Sequence, residues 1–133
     1  MRTNVTGMNR TARDAYERHS DKKMDPTPHE MDAVERKQLH RAMTFCKKTG
    51  FEVDKFQMQI VQKLGNHTYA LAHNGTIYVA QNCFTKGTKF LAATLIEEFI
   101  RLEHGYADCC REMQNHLFDL LVTFGERIAG EPV

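Results

Sequence analysis

The stretch TLIEEFIRLEHGYADCCREMQN, residues 94–115, carries the features that decide the fold. Apolar residues recur at helical spacing through its first half and just before it, which predicts a helix over residues 88–104. Gly105 then supplies a left-handed stop, and Asp108 is placed to cap another helix. The apolar face of that last helix comprises Met113, Leu117, Leu120, Leu121, Phe124 and Ile128. The C-terminal part of the chain is therefore predicted to be two consecutive helices.

Upstream of this stretch the sequence predicts one more long helix and a small sheet. Residues 27–30, Thr-Pro-His-Glu, match a capping box with proline at the first helical position, which predicts a helix over residues 28–49. After Gly50 the apolar residues alternate in the manner of strands, and Asn74-Gly75 is a strong hairpin signal. We expect a small antiparallel sheet between the first helix and the last two.

Length and composition favour one domain. The chain has 133 residues, of which 41% are apolar and 26% charged, enough apolar material for one core. Residues 1–26 are polar and lack a sustained apolar period, so they are predicted to be a flexible or partner-docked arm. Residues 27–133 are predicted to be a single α+β domain with a long N-terminal helix, a small antiparallel sheet and two C-terminal helices.

Several classes of protein are disfavoured by what the sequence lacks. Its apolar runs are too short for a membrane span, and MRTNVTGMNR has no apolar secretion segment, so a cytoplasmic location is expected. The four cysteines form no CxxC pair, which favours reduced thiols. Ser20 is the only serine and no glycine-rich phosphate loop is present, so a serine hydrolase and a nucleotide-binding enzyme are both disfavoured.

The charge pattern gives little support to nucleic-acid binding. The chain has 18 Lys or Arg and 17 Asp or Glu residues, a formal net charge of +1. Charges of both signs are interspersed and no run of five or six cations occurs, so a nucleic-acid partner is expected to be weak at most.

Polar residues interrupt the two C-terminal helices where burial would otherwise be expected. Glu97, Arg101 and His104 are spaced i, i+4 and i+7, which places them on one face of their helix. Glu98 lies one position round from Glu97, and Arg111 follows on the next helix. A charged cluster between the two helices is therefore predicted.

The segment GTIYVAQNCFTKGTKFLAATLIEEFIRLEHG resembles the minimal core of zincin-type metallopeptidases, in which a hairpin and a loop precede the active-site helix. That family carries HExxH on the helix, with two histidine ligands and a glutamate that activates water. The pentad here is Glu-Glu-Phe-Ile-Arg, residues 97–101. The resemblance assigns Glu98 to the general-base position but puts Glu97 and Arg101 in the two ligand positions. The third ligand position of a phage- and plasmid-borne branch falls near Arg111.

Residues 66–128 also resemble the C-terminal region of large phage- and plasmid-encoded proteins described as histidine-kinase-like ATP-binding proteins. That region has a Leu-x-x-Glu-Glu-like helix followed by a D-x-x-R-x-x-Q-like helix. The corresponding residues here are Leu95, Glu97, Glu98, Asp108, Arg111 and Gln114, with one residue instead of two between Leu95 and Glu97. The resemblance implies an accessory domain of phage or mobile-element type found alone, and no ATP site.

Two interpretations of the cluster are open. In the favoured one, Glu97, Glu98, Arg101 and Arg111 form a structural ion-pair network where the family has a metal, and no cofactor is expected. In the other, Glu97, Glu98, His104 and Asp108 hold a metal, with Glu98 as the catalytic base. Cys109 and Cys110, near a helix N-terminus, are interpreted as inert thiols.

The functional expectation follows from the favoured interpretation. We expect a non-enzymatic regulatory protein that binds another protein through its first helix or its arm, with a homo-oligomer left open. A metal-dependent hydrolase with carboxylate-rich ligands is the alternative, and a weak nucleic-acid-binding protein is third.

Overall fold

A computed structural model of the chain describes residues 24–107 and 110–130, and the α+β class is confirmed. The described residues form five helical segments, one of them a 3-10 turn, and four strands. In order they are β1 (Met24–Pro28), α1 (Ala33–Lys48), a 3-10 turn (Val53–Lys55), β2 (Gln57–Leu64), β3 (Ala70–His73), β4 (Thr76–Ala80), α2 (Gln81–Phe84), α3 (Thr88–His104) and α4 (Arg111–Ala129).

The sheet is mixed, so the prediction of a wholly antiparallel sheet was wrong. Its strand order is β1-β2-β4-β3. β3 and β4 form the predicted hairpin, with positive φ at Asn74 (49°) and Gly75 (75°), but β4 lies between β3 and β2 and runs parallel to β2. β1 pairs antiparallel with the other side of β2. The alternating apolar pattern predicts strands but does not specify which strands pair.

The first helix begins later than predicted. α1 starts at Ala33, and Asp32 is its N-cap, with the Asp32 side chain accepting a hydrogen bond from the Glu35 backbone N–H at 2.8 Å. The Glu35 side chain accepts from the Asp32 backbone N–H at 3.1 Å, which completes the capping box. Residues 27 and 28 belong to β1 instead. This strand begins at Met24, inside the predicted arm, whose residues 1–23 lie outside the described part of the chain.

The two C-terminal helices were placed correctly, with one difference at a cap. α3 spans Thr88–His104 as predicted, and Gly105 ends it in the left-handed region with φ 72°. α4 begins at Arg111 with Cys110 as its N-cap, because the Cys110 Sγ accepts a hydrogen bond from the Met113 backbone N–H at 3.3 Å. The predicted cap, Asp108, lies outside the described residues.

The main core is enclosed by α1, α3 and one face of the sheet. α1 packs on α3, and α3 packs on β3. The core contains fully buried side chains from each layer, among them Cys46, Ile77, Val79, Leu91 and Leu95. On the opposite face of the sheet, Val61, Leu64, Leu71 and Ala80 form a smaller cluster. Within the described ranges no helix has the length and apolar composition required to cross a membrane.

Candidate functional site

The acidic residues singled out from the sequence lie in the last two turns of α3. This helix presents its apolar residues to the core, and Glu98 lies on the edge of that buried face, where it is only 3% exposed. Glu97, one position further round, is exposed. Two adjacent carboxylates therefore occupy different environments, because successive helical residues point about 100° apart.

Arg101 pairs with both carboxylates. Its Nη2 lies 2.5 Å from Glu97 Oε2, and its Nη1 lies 2.7 Å from Glu98 Oε2. The spacings i, i+4 and i, i+3 within one helix bring one guanidinium to both side chains. The Arg101 side chain is 17% exposed and that of Glu98 only 4%, so this pair is largely removed from water. Removing the cation would leave a buried negative charge without the partner that Arg101 provides.

A cleft of about 330 Å³ opens beside this group. One wall of the cleft is formed by α3, through Phe90, Ala93, Thr94, Glu97, Glu98 and Arg101. The other wall is formed by the start of β3 and the residues just before it, His67, Thr68, Tyr69 and Ala70. Tyr69 and Phe90 meet edge to face across the cleft, with ring centroids 5.0 Å apart. The cleft thus has an aromatic end and a charged end.

The remaining predicted site residues lie elsewhere. Arg111, at the first position of α4, is exposed, whereas Arg101 pairs with both Glu97 and Glu98. His104 ends α3 outside the cleft lining. Asp108 and Cys109 are not among the described residues. The structure therefore brings together Glu97, Glu98 and Arg101, and it does not bring Arg111 or His104 to them.

His104 instead joins a ring cluster between α3 and α4. Its ring stacks on Tyr106 at a centroid distance of 5.4 Å and lies 4.5 Å from the ring of His116 on α4. Tyr106 and His116 meet edge to face at 5.7 Å. These rings connect the end of α3 with the first turns of α4.

A second buried carboxylate, Glu35, was missed by the sequence interpretation. Besides its capping bond, it lies 2.9 Å from His29 Nε2 and accepts a hydrogen bond from Gln81 Nε2 at 3.4 Å. Burial alone would raise the pKa of Glu35, but the hydrogen bonds from His29, the Asp32 backbone N–H and Gln81 outweigh it and lower that pKa. The motif Asp32-x-x-Glu35 was the available signal, and the similar match just before it, at residues 27–30, obscured it.

The buried thiols are poor nucleophiles. Burial raises the pKa of Cys46 to about 11, and the pKa of Cys83 is likewise raised to about 11, so both remain protonated near neutral pH. Cys46, Cys83 and Cys110 are free thiols. The part of the chain that the structure describes contains no group of three or more His, Cys, Asp or Glu side chains arranged to hold a metal.

The largest feature that the sequence interpretation missed is the outer face of α4. Met113 is buried, and Leu120 and Phe124 pack against the core, with Phe124 meeting Phe51 edge to face at 6.3 Å. The rest of the apolar surface faces outward. We define the α4 outer face as the five large exposed residues of this helix, Leu117, Phe118, Leu121, Val122 and Ile128.

Comparison of the chain with protein-family models, with curated proteins and with solved structures finds no match.

Proposed function

We propose that this chain is a non-enzymatic protein-binding domain whose docking surface is the α4 outer face. The observation that carries the proposal is the exposure of this face, which reaches 64% at Phe118 and 89% at Ile128. Single exposed apolar residues are ordinary on protein surfaces, but several large ones side by side on one helix are typical of interaction sites. α1, the helix through which the sequence analysis expected a partner to bind, has two further exposed apolar residues, Val34 and Phe45.

The state of the polar cluster supports a non-catalytic role. The zincin resemblance gives Glu97 and Arg101 the two metal-ligand positions, and these two side chains pair with each other. Glu98, at the general-base position, is paired with the same guanidinium. A fixed cation beside both carboxylates repels a divalent metal and takes up the charge that a metal would neutralise. We therefore propose that the chain is a pseudo-zincin of phage or mobile-element type, with ion pairs in place of the metal.

The proposal includes a cytoplasmic location. It is supported by the three described cysteines, which are free thiols of the kind that persist in a reducing compartment.

Site-specific photo-crosslinking in cells tests the docking surface. A benzophenone amino acid replaces Leu121 on the α4 outer face, and in the matched control it replaces Thr123 on the polar side of the same helix. We expect covalent protein adducts, resolved by mass spectrometry, from position 121 and few from position 123. Equal yields from the two positions, or no adducts from position 121, would contradict the proposal.

Elemental analysis of the purified chain separates this proposal from the alternative of a metal-dependent hydrolase. The ion-pair account predicts no stoichiometric zinc or manganese. A bound metal that is lost in Glu97→Ala would instead support the hydrolase, because Glu97 is one of the ligands that the alternative requires.

A further inference from the structure

We propose that the partner of the α4 outer face is a second copy of this chain, packed with its α4 antiparallel to the first. The inference rests on the proposed function, which gives this face a docking role, and it specifies the occupant. Three properties of the helix support a second copy: the area of the exposed face, the position of Gly125, and the way the face complements itself.

The exposed area is of the size that a small symmetric dimer requires. The five residues of the α4 outer face are between 39% and 89% exposed. At about 150 to 200 Å² for each large apolar side chain, these fractions amount to roughly 500 Å² of apolar surface. Complete coverage of this face in both copies would bury about 1,000 Å² in total, which is the lower bound for a specific interface.

The exposed residues form one continuous surface. At 3.6 residues per turn, Leu117, Ile128, Leu121, Phe118 and Val122 follow one another over about 140° of the circumference of α4. Arg111 and Gln114, both near the N-terminal end of the helix, are the strongly polar residues in this sector. Met113, Leu120 and Phe124, which pack on the core, occupy the adjoining sector. The apolar surface of α4 is therefore wider than the part that packs on the core of the protein.

Gly125 lies in the middle of this surface, and no contact with the described residues requires a glycine there. Its backbone is helical, and a Cβ added there would meet nothing within 4 Å. Neither a positive φ nor a close neighbour requires glycine, although glycine inside a helix costs about 0.5 to 1 kcal/mol relative to alanine. A glycine on an exposed apolar helix face does, however, let the backbone of another helix approach closely.

The α4 outer face is complementary to itself in an antiparallel pair. If a twofold axis passes between Leu121 and Val122, Phe118 of one copy lies opposite Gly125 of the other, because the two positions are equally distant from the axis. The same pairing occurs twice by symmetry, so each large ring meets the shallow site above a glycine. Such reciprocal contacts are the defining property of a twofold interface.

The test measures the mass of the purified full-length chain in solution across a wide range of concentrations. We expect the mass to rise with concentration from 15.4 kDa to twice that value. Gly125→Leu fills the site opposite Phe118, and it should weaken dimerisation by about tenfold or more. This variant keeps or increases its helix content, because leucine is a better helix former than glycine. Thr123→Leu, a matched change on the polar side of α4, should dimerise like the unmodified chain.

Phe118→Asp is a second variant with the same purpose, and it places a charge in the interface without altering the backbone of α4. It should remain folded and monomeric. A full-length chain that stays at 15.4 kDa at every concentration overturns the inference. So does a Gly125→Leu variant that dimerises as tightly as the unmodified chain. The proposed function stands in either case if position 121 crosslinks to a different protein, and it fails with the inference if position 121 crosslinks to nothing.

Discussion

α3 and α4 are similar in sequence pattern and opposite in environment. They have 17 and 19 residues, and both carry apolar residues at helical spacing. α3 buries seven residues, including the carboxylate of Glu98, between α1 and the sheet. α4, described along its whole length, buries only Met113. Most of the apolar face of α3 is thus covered by its own chain, whereas much of that of α4 is exposed.

The difference shows that a helical period of apolar residues predicts a helix but does not predict what packs on its apolar face. The face of α3 stabilises the fold, because its residues leave water when the chain folds. The face of α4 contributes little to folding and remains available to stabilise an association.

The largest difference between the two helices is expected in the free energy of unfolding when one leucine of each is replaced by alanine. Leu95 of α3 is fully buried, so Leu95→Ala should lower the free energy of unfolding by about 3 to 5 kcal/mol. Leu121→Ala on α4 should change it by about 0.5 kcal/mol or less at concentrations where the chain is monomeric. Urea denaturation followed by circular dichroism measures both. Comparable losses in the two variants would show that α4 is part of the core.

The next largest difference in the free energy of unfolding is expected when one arginine of each helix is replaced by alanine. Arg101→Ala leaves Glu98 buried without its guanidinium, and we expect a loss of about 2 to 3 kcal/mol, below the value for a fully buried pair because the cleft admits water. Arg127→Ala on α4 removes a side chain that lies over the Phe124 ring at 5.3 Å, and it should cost about 0.5 kcal/mol or less. Differential scanning calorimetry compares the two. An unchanged transition in Arg101→Ala would remove the basis of the ion-pair account.

Replacing a buried and an exposed glutamate by glutamine should give a smaller difference in the free energy of unfolding, and this difference should depend on pH. The pKa of Glu35 is lowered from 4.5, so its ionised form stabilises the fold above that pH, and this contribution is lost as pH falls through the lowered pKa. Glu35→Gln should therefore cost about 1 kcal/mol at pH 7 and nothing once Glu35 is protonated. Glu112→Gln, at an exposed position of α4, serves as the control in melts between pH 7 and pH 3. A cost in Glu35→Gln that does not change with pH would contradict the assigned cause.

The sequence predicted elements best where the decisive signal was local. α3 was placed with its full span because its apolar period ends at Gly105, and the hairpin was placed because Asn74 and Gly75 both adopt positive φ. The predicted start of α1 was wrong because two capping motifs follow closely on one another there, at residues 27–30 and 32–35. Pairing of β1 with β2 decides between them, and this pairing is a tertiary contact that local sequence does not contain.

The sequence correctly predicted those contacts of the candidate site that lie within one helix, but not those expected between two helices. The spacing of Glu97 and Glu98 with Arg101 is a property of α3 alone, and these residues lie together. Arg111 was expected to join them from another helix, and the orientation of α4 leaves it exposed instead. For the same reason, the apolar residues of α4 were expected to be buried: the sequence reports their period but not the direction they face.

A single tryptophan on α4 tests the central claim, that the α4 outer face, which the described residues leave exposed, is free of cover by any part of its own chain. The chain contains no tryptophan, so Leu121→Trp gives a unique fluorescent reporter on this face. At concentrations low enough for a monomer, we predict red-shifted emission that acrylamide quenches as efficiently as in a Thr123→Trp control. Blue-shifted emission protected from acrylamide at those concentrations would show that the chain covers this face itself, and it would contradict the account.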